Sequence, residues 1–127
     1  MRWPVWKDKI TQHSECEVWF KTGRRTPDVI RPGIPVIVLA THGLGIVAEG
    51  ITSSSVELRI DPDWMEASAE FAEECKTPMN RVRVRVKRKH ITLTALIAVP
   101  AIGNLHRRRE TTTWLDEIQY KALASLL

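Results

Sequence analysis

The sequence predicts an α+β protein, a small curved β-barrel with flanking helices, and two stretches carry that prediction. Residues 34–51, IPVIVLATHGLGIVAEGI, hold two β-branched apolar runs joined by a short loop with Gly43 and Gly45, the pattern of an antiparallel hairpin. The first run, 34–40, is almost unbroken in its hydrophobicity, so both of its faces call for cover, as in a barrel wall. Residues 80–89, NRVRVRVKRK, put Val82, Val84 and Val86 on one face of a strand and Arg81, Arg83 and Arg85 on the other. The valine face completes a core. The arginine face either stays in water, where basic strands guard sheet edges, or meets an anion.

The chain of 127 residues has room for one domain with a real core, so residues 1–127 are read as a single domain with an N-terminal arm at 1–14 and a helical segment at 61–75. Apolar residues make up 43% and charged residues 27%, which fits a globular protein and argues against disorder. No run of 18 apolar residues occurs and MRWPVWKDK lacks the apolar core of a signal peptide, so a cytoplasmic protein without a membrane partner is expected. Cys16 and Cys75 form no CxxC pair and read as two reduced thiols. The HxxC spacing of His13 and Cys16 would need further ligands to hold a metal, and no cofactor is expected.

In chain order, the arm carries Trp3 and Trp6 around Pro4, large aromatics expected to pack back onto the domain. Residues 15–22, ECEVWFKT, read as a strand closed by Gly23. Thr26 before Pro27 suits a helix start, and Pro32 with Gly33 ends that turn. Arg24 and Arg25 then lie beside a helix N-terminus, a reasonable place to hold a phosphate. After the hairpin, 56–60 (VELRI) alternates as a short strand, and Asp61 with Pro62 opens a helix with Trp64, Phe71, Ala72 and Cys75 on one face and acids on the other. Residues 91–99, ITLTALIAV, are extended or partly helical and end at Pro100. LHRRRETTTW at 105–114 favours a strand. Asp116 with Gln119 forms a capping box, Leu115 and Tyr120 suit its staple, and a terminal helix at 117–127 packs through Ile118, Ala122, Leu123 and Leu126.

The charge of +4 understates the asymmetry: residues 57–74 hold seven of fifteen acids against one base, and 76–109 hold ten Lys or Arg and no acid. Such segregation favours a polyanion. The familiar catalytic signatures (GxSxG, HExxH, Walker A, GxGxxG, HxE with PCxxC) are absent, and His13, His42, His90 and His106 are scattered, so no enzyme is expected. Basic strands, arginine pairs and runs, and five tryptophans suit a module that neutralises phosphates and stacks on a base. Trp19, beside a basic loop, is the best single candidate for a base slot, and a buried core tryptophan is an equal reading.

Taken together, VWF (18–20), RPGIPVIVLA (31–40), GLGIVAEGI (43–51), NRVRVRV (80–86) with ITLTALI (91–97), and RRRETTTWLDEIQYKAL (107–123) resemble a PUA-like β-barrel, most similar to the EVE domain, a relative of YTH and ASCH domains. The resemblance covers roughly residues 15–127 and rests on pattern and order rather than a diagnostic motif. The chain departs from the family in its MRWPVW arm and its acidic insertion at 61–75. The resemblance implies a pocket for a modified base in DNA or RNA near Trp19, Phe20, Gly43, Leu44, Gly45 and Trp114. It implies that Arg24, Arg25, Arg107, Arg108 and Arg109 flank that pocket, and with Lys21 and the strand arginines Arg81, Arg83 and Arg85 they are the expected phosphate contacts. The expected partner is nucleic acid. The alternative is a protein-interaction or homodimerisation module of a defence-type system, in which the basic strands meet an acidic surface of a second copy or a separate effector protein.

Overall fold

In the computed structural model, which describes residues 15–22, 30–40, 45–61, 75–100 and 115–127, the alternating basic strand becomes the longest element and the middle of the sheet. The elements are β1 (Glu15–Lys21), β2 (Pro35–Ala40), β3 (Gly45–Thr52), β4 (Glu57–Arg59), β5 (Met79–Ile91), α1 (Leu93–Ile97) and α2 (Glu117–Ala124). All pairings are antiparallel, in the order β1-β5-β3-β2, with β4 also on β5. Thirteen residues let β5 serve three partners: β1 lies along one side, while β3 and then β4 share the other. Among the described residues no pairing joins β1 to β2, so the sheet is open there.

The predicted hairpin is present as β2 and β3, and its first strand is covered on both faces. Val82, Val84 and Val86 form one core with Val18, Val38, Val47, Ala48, Ile30 and Cys75. Each buried valine contributes about 1.5–2 kcal/mol through area removed from water. On the opposite face, at the far end of β5, Ile46 meets Leu96 of α1 and Leu123 of α2, joined by Ile37, Leu39 and Ile91. Val47 and Ala48 are consecutive yet share the first core, which a regular strand with period two forbids. The register shift between Ile46 and Ala48 resolves this: the bulge turns Ile46 to one core and its successors to the other.

Two turns fix the strand ends. Gly33, at φ +98°, takes the left-handed position after Pro32, and its amide donates to the Thr52 carbonyl at 2.8 Å. The buried Thr52 hydroxyl donates to the Arg31 carbonyl at 2.6 Å and accepts from the Ile34 amide at 2.9 Å, which ties the approach to β2 onto the end of β3. Gly45, at φ +87°, starts β3 so close to β5 that a Cβ there would sit 2.1 Å from the Ile91 carbonyl oxygen. The glycine expected to serve the hairpin loop is thus required by close approach as well.

Residues 91–97 resolve into both predicted states: Ile91 ends β5, and α1 follows, with the Thr92 hydroxyl accepting from the Ala95 amide at 3.2 Å. The capping box of α2 is formed, with Asp116 accepting from the Gln119 amide at 2.7 Å and Gln119 accepting from the Asp116 amide at 3.1 Å. Leu115 packs into the second core and Tyr120 stays exposed. The helix ends at Ala124 rather than at 127; Ala122, Leu123 and, just beyond the helix, Leu126 pack inward as expected, but Ile118 is 73% exposed. At about 100° per residue Ile118 lies about 140° round the helix from Leu123, beyond the apolar stripe. Among the described residues no helix is long and apolar enough to cross a membrane.

Candidate nucleic-acid interface

Because paired residues share a face, the register of β5 fixes what stands beside each of its cations. Trp19 lies opposite Arg83. Glu17 and Ile51 flank Arg85, and Glu15 and Glu49 flank Lys87. This face is outward until α1 and α2 cover its far end. The basic strand therefore does not stand alone: acids from β1 and β3, remote in sequence, interleave with it. The Glu17 carboxylate binds Arg83 through one oxygen and Arg85, at 3.3 Å, through the other. Glu49 reaches Lys89 at 3.3 Å. These are exposed or half-exposed pairs, each of small stability value and readily exchanged for a competing anion.

Trp19 is half-buried on this face. The guanidinium of Arg59 stacks 3.9 Å from its ring centroid, and that of Arg83 lies 6.0 Å away. Since β4 and β1 flank β5 on opposite sides, Arg59 reaches across the central strand to make this contact. Arg59 was not among the residues expected at the site. Its nearness to Trp19 arises from two strand pairings with β5, which no local pattern encodes.

The structure separates residues that the sequence reading grouped. Phe20 follows Trp19 on a regular strand and so faces the opposite way, packing against the valine core opposite Val82. The two cannot line one slot, a conclusion the period of two already contained. Gly45 sits against Ile91, eight residues along β5 from the partner of Trp19, about 27 Å away at about 3.4 Å per residue. Gly43, Leu44, Trp114, Arg24, Arg25, Arg107, Arg108 and Arg109 lie outside the described residues, as do the N-terminal arm and residues 62–74.

Arg81 breaks the alternation. It is 3% exposed, and its guanidinium lies 3.9 Å from the Asp61 carboxylate while its Nε donates to the Arg59 carbonyl at 3.0 Å. A phosphate cannot reach it without disrupting the fold, so this arginine belongs to the core rather than to the binding face. Asp61, expected as a helix cap, is buried with it, and its amide donates to the Cys75 carbonyl at 2.9 Å. Burial pushes the Cys75 thiol above its ordinary range, and the nearby Asp61 charge adds to this, outweighing Arg81 and Lys21. Lys21 itself is half-buried opposite Arg81, near Trp19. Of the expected phosphate contacts among the described residues, Arg83 and Arg85 are the exposed ones.

A groove of about 340 Å³ lies on the same sheet face, farther along β5. Its lining includes Ile37, Ile51, Glu15, Glu49, Arg85, Lys87 and Tyr120 of α2. Among the described residues no cluster of three His, Cys, Asp or Glu is placed to hold a metal ion. Compared with models of protein families, with curated proteins and with solved structures, the chain matches none.

Proposed function

We propose that this chain is a non-enzymatic nucleic-acid-binding module whose contact surface is the outward face of β1, β4 and β5 around Trp19. The observation that carries the proposal is the stack of Arg59 on Trp19 at 3.9 Å with Arg83 beside it. Ring faces and guanidinium planes are the surfaces on which unpaired bases stack, and the same guanidinium groups donate to phosphate oxygens. Glu17 holds Arg83 and Arg85 through exposed ion pairs, and a phosphate binding there takes the place of its carboxylate. Binding in this mode depends on salt with a slope reporting only a few phosphates.

The finer part of the proposal carries the likeness to EVE and PUA-like domains forward: the sheet is the wall of such a barrel, and a modified base is the preferred occupant beside Trp19. Its support is the hairpin set against a long central strand, with apolar cores on both sheet faces. The test is fluorescence anisotropy with DNA and RNA oligonucleotides carrying plain, 5-methyl, 5-hydroxymethyl and N6-methyl bases at two salt concentrations. Trp19→Ala is expected to weaken binding about tenfold, within the range of one lost stacking contact. Unchanged affinity in a folded Trp19→Ala protein would remove Trp19 from the interface. Absence of binding to every oligonucleotide, with concentration-dependent sedimentation, would point instead to a protein-interaction or homodimerisation module.

A further inference from the structure

From the groove beside α2, we infer a second subsite on the same face that selects guanine. This deepens the nucleic-acid reading and rests on it for polymeric ligands. The row Glu15–Lys87–Glu49 crosses β1, β5 and β3 side by side. Glu49 is engaged by Lys89 at 3.3 Å, whereas Glu15 and Lys87 form no ion pair among the described residues, although they stand directly opposite each other. Both are exposed and both line the groove. The groove thus offers an acceptor-only carboxylate and a donor-only ammonium on adjacent strands, next to Arg85, which Glu17 engages, and to apolar groups that include Ile51, itself 55% exposed.

Those groups sort the nucleobases. The guanine edge presents two adjacent donors, N1–H and the 2-amino group, which match the two oxygens of one carboxylate, and its O6 lies next to them as the acceptor for an ammonium. Adenine and cytosine place a ring-nitrogen lone pair beside their amino group, and uracil flanks its one N–H with two carbonyls. Each sets an acceptor against the carboxylate, which leaves a charged group unpaired on binding. Tyr120 lines the groove and supplies a ring for stacking, and a groove of about 340 Å³ lies at the small end of ligand sites, suited to one base and its sugar. Glu15 is the specificity-determining residue in this arrangement, with Lys87 as its complement at O6.

The experiment is calorimetric titration of the full chain with GMP, IMP, AMP, CMP and UMP, alongside anisotropy with oligouridylates carrying one central G or A. GMP is expected to bind about tenfold tighter than the others, the discrimination of one bidentate contact, and IMP, which lacks the 2-amino group, to fall with them. Glu15→Gln and Lys87→Met should abolish the preference while leaving the salt-dependent, Trp19-dependent oligonucleotide binding in place. Both sites are exposed on strands, and Tyr120→Ala gives an independent variant on α2 that should weaken GMP binding. Equal binding of the five nucleotides, or a GMP preference that survives both charge variants, would overturn the subsite. GMP selectivity without oligonucleotide binding would refute the Trp19 interface and uphold the groove. Oligonucleotide binding that needs Trp19 but ignores guanine would do the reverse.

Discussion

Replacing Arg81 by methionine tests the reading that this arginine is part of the core. Its side chain and that of Asp61 are each 4% exposed and lie 3.9 Å apart, so solvent screens the pair little. Two charges near 4 Å at an effective dielectric of about 20 interact by about 4 kcal/mol. Arg81 also donates to the Arg59 carbonyl at 3.0 Å, a bond whose loss adds about 1 kcal/mol. Methionine fills much of the space but takes the guanidinium away from the buried Asp61 carboxylate, and removing one partner of such a pair costs about 3–5 kcal/mol. For a chain of this size that corresponds to a fall in Tm of roughly 12–20 °C. The assay is urea and thermal unfolding followed by circular dichroism, with Asp61→Asn and the double variant completing a cycle. The double variant should be less destabilised than the sum of the single ones, because it removes both charges of the pair together. A cost below about 1 kcal/mol for Arg81→Met, or strict additivity in the cycle, would refute the buried-pair reading and return Arg81 to the surface.

Three further outcomes follow from the structure. Gly45→Ala places a Cβ 2.1 Å from the Ile91 carbonyl oxygen at a φ of +87°, so a loss of about 2 kcal/mol or more is expected in denaturant unfolding, and near-neutral behaviour would mean that β3 starts elsewhere. The Cys75 thiol, with its pKa raised above the ordinary 9.0 chiefly by burial and then by Asp61, is neutral near pH 7 and should react with a thiol reagent far more slowly than the half-buried Cys16. Because its folded pKa lies above the unfolded one, its contribution to stability is complete below about pH 9 and is lost as pH rises through the folded value, so the unfolding midpoint should decline in that alkaline range. Equal reaction of both thiols in the folded protein would contradict the buried placement.

Much of the fold could be read from local patterns. The hairpin of β2 and β3, the alternation of β5 and the Asp116–Gln119 capping box are set by the period of two, by glycine placement and by contacts three residues apart, all of which operate within one element. The candidate site was less legible. Trp19 and Arg83 were identifiable as aromatic and basic strand residues, but Arg59 was not, since its contact with Trp19 spans two strand pairings. The separation of Trp19 from Phe20 was available from the strand period, because consecutive strand residues face opposite ways.

The sequence by itself determined that a basic strand has a valine face and an arginine face, because alternation along one strand is a local property. Only the tertiary structure decided what each charge meets. Register between distant strands sets Glu17 between Arg83 and Arg85, brings Glu15 and Glu49 to either side of Lys87, and buries Arg81 against Asp61. The sequence segregates charge, whereas the folded sheet interleaves it, because antiparallel pairing places residues dozens of positions apart about 5 Å from one another.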